Sequence, residues 1–287
     1  MSLKKICKNI YSFTTNVFQS AISLISILLF SSCSAAKMMT SISIPNKRSE
    51  CCVLGNGPSL NDALAMSPSP FLGKDLMVVN FFLETDYFEI LKPSYYIMLD
   101  NLFFLDNIDN ILGEERMANV IVRLNSISWE MILFVPIIAR KSMLIKRIIN
   151  YKIKIIYFNS TPISGFRKIE YYYYDKNLGM PTAQTVINAA IFLAIKLDYK
   201  IINLYGVDQS WLKGMYVDEN NIVRAGLDHF YGGSSSIGSV PSLSNLLLTQ
   251  YNAFFSHERL QVYSKEKGIK ILNHTKLSYI DAYEKVK

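Results

Sequence analysis

Apolar runs along the chain alternate with amphipathic stretches in an order that predicts an α/β fold. Short apolar runs, each ended by polar or turn-forming residues, predict strands at 51–54, 76–82, 95–99, 119–124, 154–158, 200–205 and 269–272. Helical segments fit between these runs. Strands that alternate with helices are typical of a Rossmann-like, doubly wound and mostly parallel sheet, which is the fold class that the sequence predicts.

Later segments carry the sequence marks of helices. Residues 182–197 are apolar on nearly every side, so we expect a helix that is buried against the sheet. Residues 243–267 form a long amphipathic pattern that Gly268 ends. After the last strand, Ser278 with Asp281 three residues later predicts the cap of a short final helix.

Two segments interrupt this alternation. Residues 138–154 carry six basic side chains and no acidic one. This indicates either the solvated face of a helix or a basic flap that contacts an anionic donor, an acceptor or a membrane surface. Residues 209–240 are rich in Gly and Ser and too long for an ordinary connection, so we expect a lid over a binding site.

The first 44 residues differ from the rest of the chain. Residues 17–36 are mostly apolar over about the length of a membrane span, and three lysines precede them. The pattern is compatible with a signal peptide, a signal anchor, an interfacial helix, or a translation start near Met38 or Met39. Of these we favour a membrane-associated segment at 1–44 and a folded domain at 45–287.

Composition narrows the class of protein. Half of the residues are apolar and 13% are aromatic, which supplies the core of one large α/β domain. Residues 1–50 hold six basic residues and one acidic residue, so they carry +5 of the net charge of +7. A folded domain with so little excess charge does not suit a nucleic-acid partner. Cys51 and Cys52 are adjacent in a strand and point to opposite faces, which favours a reducing compartment over a disulfide framework.

Polar residues follow several of the predicted strands. The turn at 55–59 opens a helix whose free N–H groups can bind the phosphate of a nucleotide, and its glycines permit close approach of the backbone. Because ligands bind beyond the carboxyl ends of parallel strands, we expect the other polar residues at strand ends to share that site. The predicted binding residues in these turns are Gly55, Asn56, Gly57, Ser59, Asn80, Asp100, Asn101 and Asp208. Trp211, in the loop just after Asp208, is added as a ninth, although an aromatic residue there can also close a lid by packing.

The predicted lid contains the candidates for catalysis. His229 next to Asp228 suits a general base, since a carboxylate can orient the imidazole, although a histidine can also simply fix a loop. The hydroxyl of Tyr216 can donate a hydrogen bond to a departing phosphate, or the ring can close the lid by packing. We expect His257 to be structural, while His274 follows a strand near the predicted site.

Short motifs in the order of a known family extend over residues 51–280. They lie at 54–60 (Leu-Gly-Asn-Gly-Pro-Ser-Leu), at Asn80, at Asp100 with Asn101, at 198–208 and at 267–273. This set resembles the bacterial sialyltransferases of glycosyltransferase family 42. It also resembles the wider group that shares their nucleotide-binding fold, including flagellin glycosylation proteins and a pterin pyrophosphokinase. The resemblance implies a glycosyltransferase-A-like fold.

The resemblance also implies a reaction. It is a metal-independent, inverting transfer from a CMP-activated acidic sugar, such as a sialic or other nonulosonic acid, with no further cofactor. By the same resemblance, Asn56, Asn80 and either Asp100 or Asn101 would hold the nucleotide.

One part of the lid departs from the family pattern. Tyr216 lies eight residues after Asp208, as in the family, and would stabilise the phosphate leaving group. The family loop reads like His-Tyr-Ile-Gly-His-Ser, with the second histidine as the base. This chain keeps the first histidine as His229 and has Gly233 at the position of the base. Either His229 deprotonates the acceptor, another group does so, or the chemistry is not sialyl transfer.

These inferences lead to one expected function and two alternatives. The expected partners are a nucleotide-sugar donor, a glycan or glycolipid acceptor from lipopolysaccharide, O-antigen or capsule assembly, and a membrane surface contacted through the N-terminal segment. Self-association is compatible with the sequence. Because nucleotide sugars are cytosolic, we expect the protein at the cytoplasmic face of the bacterial inner membrane. The alternatives are a Mg²⁺-dependent diphosphate-transfer enzyme on the same fold and a non-catalytic nucleotide-binding relative.

Overall fold

A parallel β-sheet forms the centre of the computed structural model, which describes residues 3–104, 114–224, 226–228, 234–236 and 242–286. The strands are β1 (Glu50–Leu54), β2 (Asp75–Val79), β3 (Tyr95–Ile97), β4 (Met131–Pro136), β5 (Ile153–Phe158), β6 (Ile201–Tyr205), β7 (Tyr216–Val217), β8 (Val223–Arg224), β9 (Gly226–Asp228), β10 (Ser234–Ser236), β11 (Lys270–Asn273) and β12 (Glu284–Lys285). Eight of them form the central sheet in the order β12-β11-β6-β1-β2-β3-β4-β5, with parallel pairing throughout. The pairs β7–β8 and β9–β10 are small antiparallel ribbons.

Helices cover both faces of this sheet. They are α1 (Leu3–Phe30), α2 (Cys33–Thr40), α3 (Leu60–Leu64), α4 (Tyr87–Leu91), α5 (Glu114–Ser126), α6 (Met143–Arg147), α7 (Arg167–Asp175), α8 (Val186–Lys196) and α9 (Leu243–Glu266). Short 3-10 helices lie at Asn80–Glu84, Asn101–Phe103, Ile137–Lys141 and Ser210–Gly214. The mostly parallel, doubly wound α/β fold predicted from the sequence is confirmed.

The pattern of β1 shows why the sheet is buried on both faces. Cys51 and Val53 point into one hydrophobic core, and Cys52 and Leu54 point into the other. The four cysteines of the chain are free thiols, and the adjacent pair lies on opposite faces of the strand, as predicted. A strand without a polar face is what a parallel sheet between two helical layers requires.

Helix α8 fills the core on one face. Its residues from Ile187 to Ile195 are all buried, because the helix lies between the sheet strands β1, β2 and β6 and helix α9. A helix that is apolar all round is stable in such an enclosed position. The predicted helices at 182–197 and 243–267 are therefore confirmed, with slightly shorter bounds.

The strand predicted at 119–124 is wrong, since this segment lies in α5. Its buried residues Val120, Ile121 and Leu124 have the spacing of one helical face, whereas Val122 between them is exposed. The fourth strand is instead β4, which the sequence analysis missed. Likewise, the second strand ends at Val79 rather than at residue 82, because Asn80 adopts φ +42° and starts a 3-10 helix.

The predicted final helix is also wrong. The hydroxyl of Ser278 is buried and donates to the carbonyl of Val207 rather than capping a helix. The chain then turns and forms β12, which pairs with β11 at one edge of the sheet.

The basic segment at 138–154 contains α6. This helix buries Leu144 and Ile145 while its basic residues are exposed, which fits the solvated-face alternative.

The N-terminal segment is helical and packs on the sheet. Helix α1 is long and apolar enough to cross a membrane over Lys4–Phe30, judged by length and composition. It ends at a break at residues 31–32, after which α2 packs against β5, the last strand of the sheet. Ala35, Ala36 and Met39 of α2 are buried there.

Candidate functional site

A cavity of about 560 Å³ lies beyond the carboxyl ends of β1, β2, β3 and β6. This is where the chain order of the strands reverses, because β2 to β5 lie on one side of β1 while β6, β11 and β12 lie on the other. In open parallel sheets the turns on either side of such a reversal run in opposite directions and leave a crevice between them. The order of the strands therefore determines the position of this crevice, whichever side chains line it.

Four strand ends and one helix start supply the cavity wall. The described lining residues are Asn56, Gly57, Pro58, Val79, Asn80, Leu99, Asp100, Asn101, Ala183, Gln184, Thr185, Val186, Ile187, Gly206, Val207, Asp208, Gln209, Ser210 and Trp211. Seven of the nine predicted binding residues are among them, and Gly55 and Ser59 lie in the same turn, outside the lining. The structure thus brings the predicted residues together, and their contact with a ligand remains a prediction.

The glycines of the turn after β1 allow the turn after β6 to approach closely. The Gly55 N–H donates to the carbonyl of Tyr205 at 2.8 Å, and the Gly57 N–H donates to that of Gly206 at 2.9 Å. A Cβ on Gly55 would lie 2.4 Å from the Gly206 oxygen, and one on Gly57 would lie 1.9 Å from a carboxylate oxygen of Asp208. Close approach of two protein turns, rather than of a ligand, is therefore the first requirement that these glycines meet.

Asp208 links the end of β6 to the start of α3. Its carboxylate accepts hydrogen bonds from the Ser59 hydroxyl at 2.7 Å and from the Ser59 N–H at 3.4 Å. Burial raises the pKa of Asp208, and the bonds from Ser59 partly offset this rise. The carboxylate also lines the cavity, so it can accept a hydrogen bond from a ligand hydroxyl.

Three more predicted residues are oriented by backbone contacts. Asn56 donates through Nδ2 to the Val79 carbonyl at 3.2 Å, and the Oδ1 of Asn80 accepts from the Leu99 N–H at 3.3 Å. The Oδ1 of Asp100 accepts from a backbone N–H two residues later at 3.0 Å. These contacts tie the ends of β1, β2 and β3 to one another. The Oδ1 of Asn56 is buried and has no partner among the described residues, which makes it available to a ligand donor.

The start of α8 forms a wall that the sequence analysis did not assign to the site. The Thr185 side chain accepts from the Asn188 N–H and the Asn188 side chain accepts from the Thr185 N–H, which is a capping box. The first turn, including Val186 and Ile187, faces the cavity. N–H groups of a first helical turn lack partners within the helix and attract anions. The signal was visible in the sequence as a Thr-x-x-Asn pattern directly before an apolar run.

Gln209 is the second residue that the sequence analysis missed. It is buried in the cavity wall and has φ +46°, an uncommon conformation for a residue with a side chain. Its Nε2 donates to the Thr185 hydroxyl at 3.4 Å and to His257 Nε2 at 2.9 Å. Its Oε1 is buried without a partner among the described residues. Gln209 is thus held with an acceptor free for a ligand donor, and no sequence motif marks it.

His257 supports this arrangement from behind the cavity. It is fully buried, as expected for a structural histidine, and burial lowers its pKa to about 3, so the ring is neutral at physiological pH. Because Nε2 accepts from Gln209, the proton lies on Nδ1, which donates to the Tyr283 hydroxyl at 2.9 Å. The ring therefore connects the cavity wall to the C-terminal segment of the chain.

Of the predicted catalytic residues, the structure describes Tyr216 and Asp228, and neither belongs to the described lining of the cavity. Tyr216 is exposed on β7 and does not belong to the lining of the cavity. Asp228 is the last residue of β9, and the backbone of this strand contacts the 3-10 helix that contains Trp211. His229 and Gly233 fall outside the described residues.

His274 lies next to β6 and does not belong to the described lining of the cavity. Its ring stacks on Tyr205 with centroids 4.5 Å apart, and its Nε2 donates to the Asn203 side chain at 2.8 Å. Burial, with the nearby charge of Lys74, lowers its pKa. These contacts give His274 a structural role.

The charge of the described lining is low. Asp100 and Asp208 are the charged side chains among these lining residues, and the remaining groups are amides, hydroxyls, an indole, backbone and apolar side chains. Within the described ranges, no cluster of three or more His, Cys, Asp or Glu side chains has the arrangement of a metal site. An anionic group bound here would be neutralised mainly by backbone N–H groups.

Comparisons with known proteins identify the type of fold. No model of a known family and no curated protein matches the sequence. The chain is similar to a solved structure of the MAf glycosyltransferase from Magnetospirillum magneticum AMB-1, with 13% sequence identity and a TM-score of 0.51. The match covers 85% of this chain and 34% of the other, so this chain spans about a third of that glycosyltransferase. The likeness shows a glycosyltransferase-like fold.

The close approach of the two turns predicts a large effect of one methyl group. Gly206→Ala adds a Cβ 2.6 Å from the Gly55 carbonyl oxygen at a residue with φ +64°. Strain and steric conflict together should lower the free energy of unfolding by about 3 kcal/mol. Gly268→Ala is the control, since φ is +67° and nothing lies within 4 Å. This control should lower the free energy of unfolding by about 1 kcal/mol. Urea titration of both variants measures the two losses, and equal losses would contradict the packing argument.

Burial of His257 predicts a dependence of stability on pH. Its pKa of about 3 in the folded state lies below the usual 6.5, so its contribution is fully present above pH 6.5 and is lost as the pH falls towards 3. The wild type should lose about 2 kcal/mol more than His257→Gln between pH 7 and pH 5. Glutamine keeps a donor and an acceptor but does not titrate. Urea unfolding of both proteins at several pH values tests this, and parallel pH profiles would refute it.

Proposed function

We propose that the chain is a glycosyltransferase that binds a nucleotide sugar in the cavity at the strand reversal. The observation that carries the proposal is the convergence of polar groups from four strand ends and the start of α8 on one cavity. Asn56 and Gln209 present buried acceptors to it, which suits the hydroxyl and amino donors of a nucleoside or a sugar. The fold shared with the MAf glycosyltransferase adds support from outside the site.

The charge of the cavity favours a donor with a single phosphate. The described lining offers backbone N–H groups and two carboxylates, Asp100 and Asp208. A diphosphate brings more negative charge towards these carboxylates than the phosphodiester of a CMP-linked sugar does. The start of α8 can bind one anionic group, either the phosphate or the carboxylate of an acidic sugar. We therefore propose a CMP-activated acidic sugar, such as a sialic or other nonulosonic acid, as the donor.

The lid would supply the reacting groups. A hydroxyl oxygen of the acceptor attacks the anomeric carbon, the bond from that carbon to the phosphate oxygen breaks, and CMP leaves with the bonding electrons. His229 takes the proton of the acceptor hydroxyl, Asp228 orients its ring, and Tyr216 donates to the departing phosphate. Attack opposite to the leaving group inverts the anomeric centre. The position of β9 beside the Trp211 segment supports this assignment because it brings the residue before His229 near the cavity.

The acceptor that we propose is a bacterial surface glycan, from lipopolysaccharide, O-antigen or capsule assembly. The reaction would take place at the cytoplasmic face of the inner membrane, where a nucleotide sugar and a lipid-linked glycan meet. Nothing in this assignment needs a metal ion, because the backbone N–H groups and Tyr216 take the place of a cation at the leaving group.

A Mg²⁺-dependent diphosphate-transfer enzyme is the second candidate. Asp100 and Asp208 are the observation that favours it, since two carboxylates in one cavity can bind Mg²⁺ together with the phosphates of a substrate. Activity that is abolished by a chelator and restored by Mg²⁺ would support this candidate over a CMP-dependent transferase.

The proposed donor predicts selective nucleotide binding. Calorimetric titration of the full chain should give tighter binding of CMP than of UDP or GDP. Asn56→Ala should weaken CMP binding about 10-fold, because a buried hydrogen bond is lost. Asn220→Ala is the control, since this asparagine is exposed on a turn away from the cavity lining. Tighter binding of UDP or GDP, or equal effects of the two variants, would count against the assignment.

The proposed base predicts a loss of turnover without a loss of binding. His229→Ala should reduce the rate of CMP release in the presence of acceptor glycans by about 10²-fold or more. The affinity for CMP should change less than twofold, which corresponds to a change of about 0.4 kcal/mol in binding free energy. His274→Ala, outside the cavity, is the matched histidine control and should retain turnover. Nucleotide binding without any transfer by the wild type would instead favour a non-catalytic binding protein.

A further inference from the structure

Helix α1 is hydrogen-bonded to the folded domain at the middle of its length. The Ser23 hydroxyl donates to the Ser164 carbonyl at 2.9 Å and accepts from the Ser164 N–H at 2.9 Å. The Phe166 N–H donates to the Ser20 hydroxyl at 3.0 Å. Gly165 lies between them with φ +125°, and a Cβ there would be 2.2 Å from the Ser20 oxygen. The helix and the 164–166 loop are therefore in direct backbone contact.

The end of the helix is fixed to the domain as well. The Ser31 hydroxyl donates to Leu178 O at 2.6 Å. The Asn159 side chain accepts from the Ser32 N–H at 2.8 Å and donates to the Ser32 carbonyl at 3.0 Å. Towards the other end, the ring of Phe13 packs edge-on against a phenylalanine of the 164–166 loop. At 1.5 Å per residue, the contacts from Phe13 to Ser31 extend over about 27 Å, so the helix lies along the domain.

The opposite face of α1 is apolar and exposed. Tyr11, Phe18, Ile22, Ile25 and Leu29 follow one another at separations of seven, four, three and four residues, which places them on one side of the helix. Their exposed fractions are 73%, 67%, 47%, 57% and 68%. These side chains form a continuous apolar stripe, which we call the outer stripe. A stripe of this size on one helix marks a surface that meets a partner.

These contacts are incompatible with a membrane-spanning α1. In a span, Ser20 and Ser23 would lie near the centre of the hydrocarbon, and they are bonded to the backbone of the domain. The domain would then have to enter the bilayer, where unpaired polar groups cost several kcal/mol each. We propose that α1 lies in the plane of the interface of an anionic phospholipid bilayer, with its outer stripe in the lipid and its serine face on the domain.

The charges of the N-terminal segment favour an anionic bilayer over a second copy of the chain as the partner of the outer stripe. Lys4, Lys5 and Lys8 lie in the first turns of α1, and residues 3–49 contain no acidic side chain. A positive helix end next to an apolar stripe suits anionic headgroups. Helix pairs in water are usually flanked by charges of both signs, whereas residues 9–36 carry none. The inference is independent of the proposed transferase activity.

Binding to vesicles tests the outer stripe. The full chain should sediment with vesicles of phosphatidylglycerol and phosphatidylethanolamine, and more weakly with phosphatidylcholine vesicles. Phe18→Ser with Ile25→Ser should weaken binding about 10-fold or more, because both exposed side chains lose their contact with lipid. Leu72→Ser with Leu277→Ser is the control, since these leucines are 70% and 84% exposed and do not belong to α1. Equal binding by both double variants would overturn the proposal.

Native cysteines distinguish a helix that lies in the interface from one that spans. Cys7 and Cys33 are exposed, while burial raises the pKa of both Cys51 and Cys52 and makes them poor nucleophiles. Cys33→Ser therefore leaves Cys7 as the reactive thiol for a nitrobenzoxadiazole dye. Cys7 lies on the face of the outer stripe, eleven residues before Phe18.

For a helix in the interface, the fluorescence emission of the dye on Cys7 should shift to the blue when the protein is mixed with preformed vesicles. Dithionite, which does not cross the bilayer, should then bleach it in intact vesicles. Protection from dithionite until detergent is added would show a span and overturn the proposal. The dye on Cys33, attached in the Cys7→Ser variant, should be bleached in either case and serves as the control.

Sedimentation without vesicles tests whether a second copy of the chain binds the outer stripe. In sedimentation velocity, the wild type should have the same oligomeric state as the variant that combines Phe18→Ser with Ile25→Ser. A dimer that this double change dissociates, together with no binding to vesicles, would assign the outer stripe to a second copy of the chain and overturn the proposal.

Discussion

The contact between the turn after β1 and the turn after β6 is the constraint on which the site depends. Each turn begins with a glycine, and the first turn donates hydrogen bonds of 2.8 and 2.9 Å to the second with no room for a Cβ between them. Once the turns are this close, Asp208 can reach Ser59, and the start of α3 is fixed relative to the end of β6. The cavity lies beside this contact, at the point where the chain order of the strands reverses and where open parallel sheets bind their ligands.

A second layer of contacts determines what the cavity presents to a ligand. Gln209 has an uncommon backbone conformation, and its amide nitrogen is occupied by Thr185 and by the neutral ring of His257. Only its oxygen is left for the cavity. The arrangement joins three parts of the chain that are distant in sequence, since α8, α9 and the C-terminal segment each contribute one partner. A binding surface built in this way is rigid before a ligand arrives, which reduces the entropic cost of binding.

The sequence could predict those parts of the fold and site that arise from local patterns. Apolar runs such as Cys51–Leu54 predict buried strands because a strand between two helical layers has no polar side. The residues that follow these strands converge because parallel strands end at one edge, so Asn56, Asn80 and Asp208 could be placed together without coordinates. The strand predicted at 119–124 failed because a short apolar run fits a helix face equally well, and only packing against the sheet decides between them.

The parts that could not be predicted depend on contacts between distant segments. Gln209 has no motif, since its side chain is oriented by a hydrogen bond to His257, 48 residues later. The tail after β11 was expected to be helical because Ser278 resembles a cap, and the burial of its hydroxyl against Val207 became apparent only in the folded chain. Nothing in the sequence marks the serines of the mostly apolar α1 as a contact surface, whereas Ser20 and Ser23 form the side of the helix that binds the domain.

The packing of α2 on β5 has a consequence for how the N-terminal region relates to the rest of the molecule. Strand β5 is the last strand of the sheet, so its outer row of backbone N–H and C=O groups has no neighbouring strand. Such an edge is a template for pairing with another chain, and folded proteins commonly shield it. Because α2 and the Asn159 contacts to residue 32 lie against this strand, the N-terminal region covers part of β5. A chain cut after residue 44 would lose this cover even though every strand of the sheet remained.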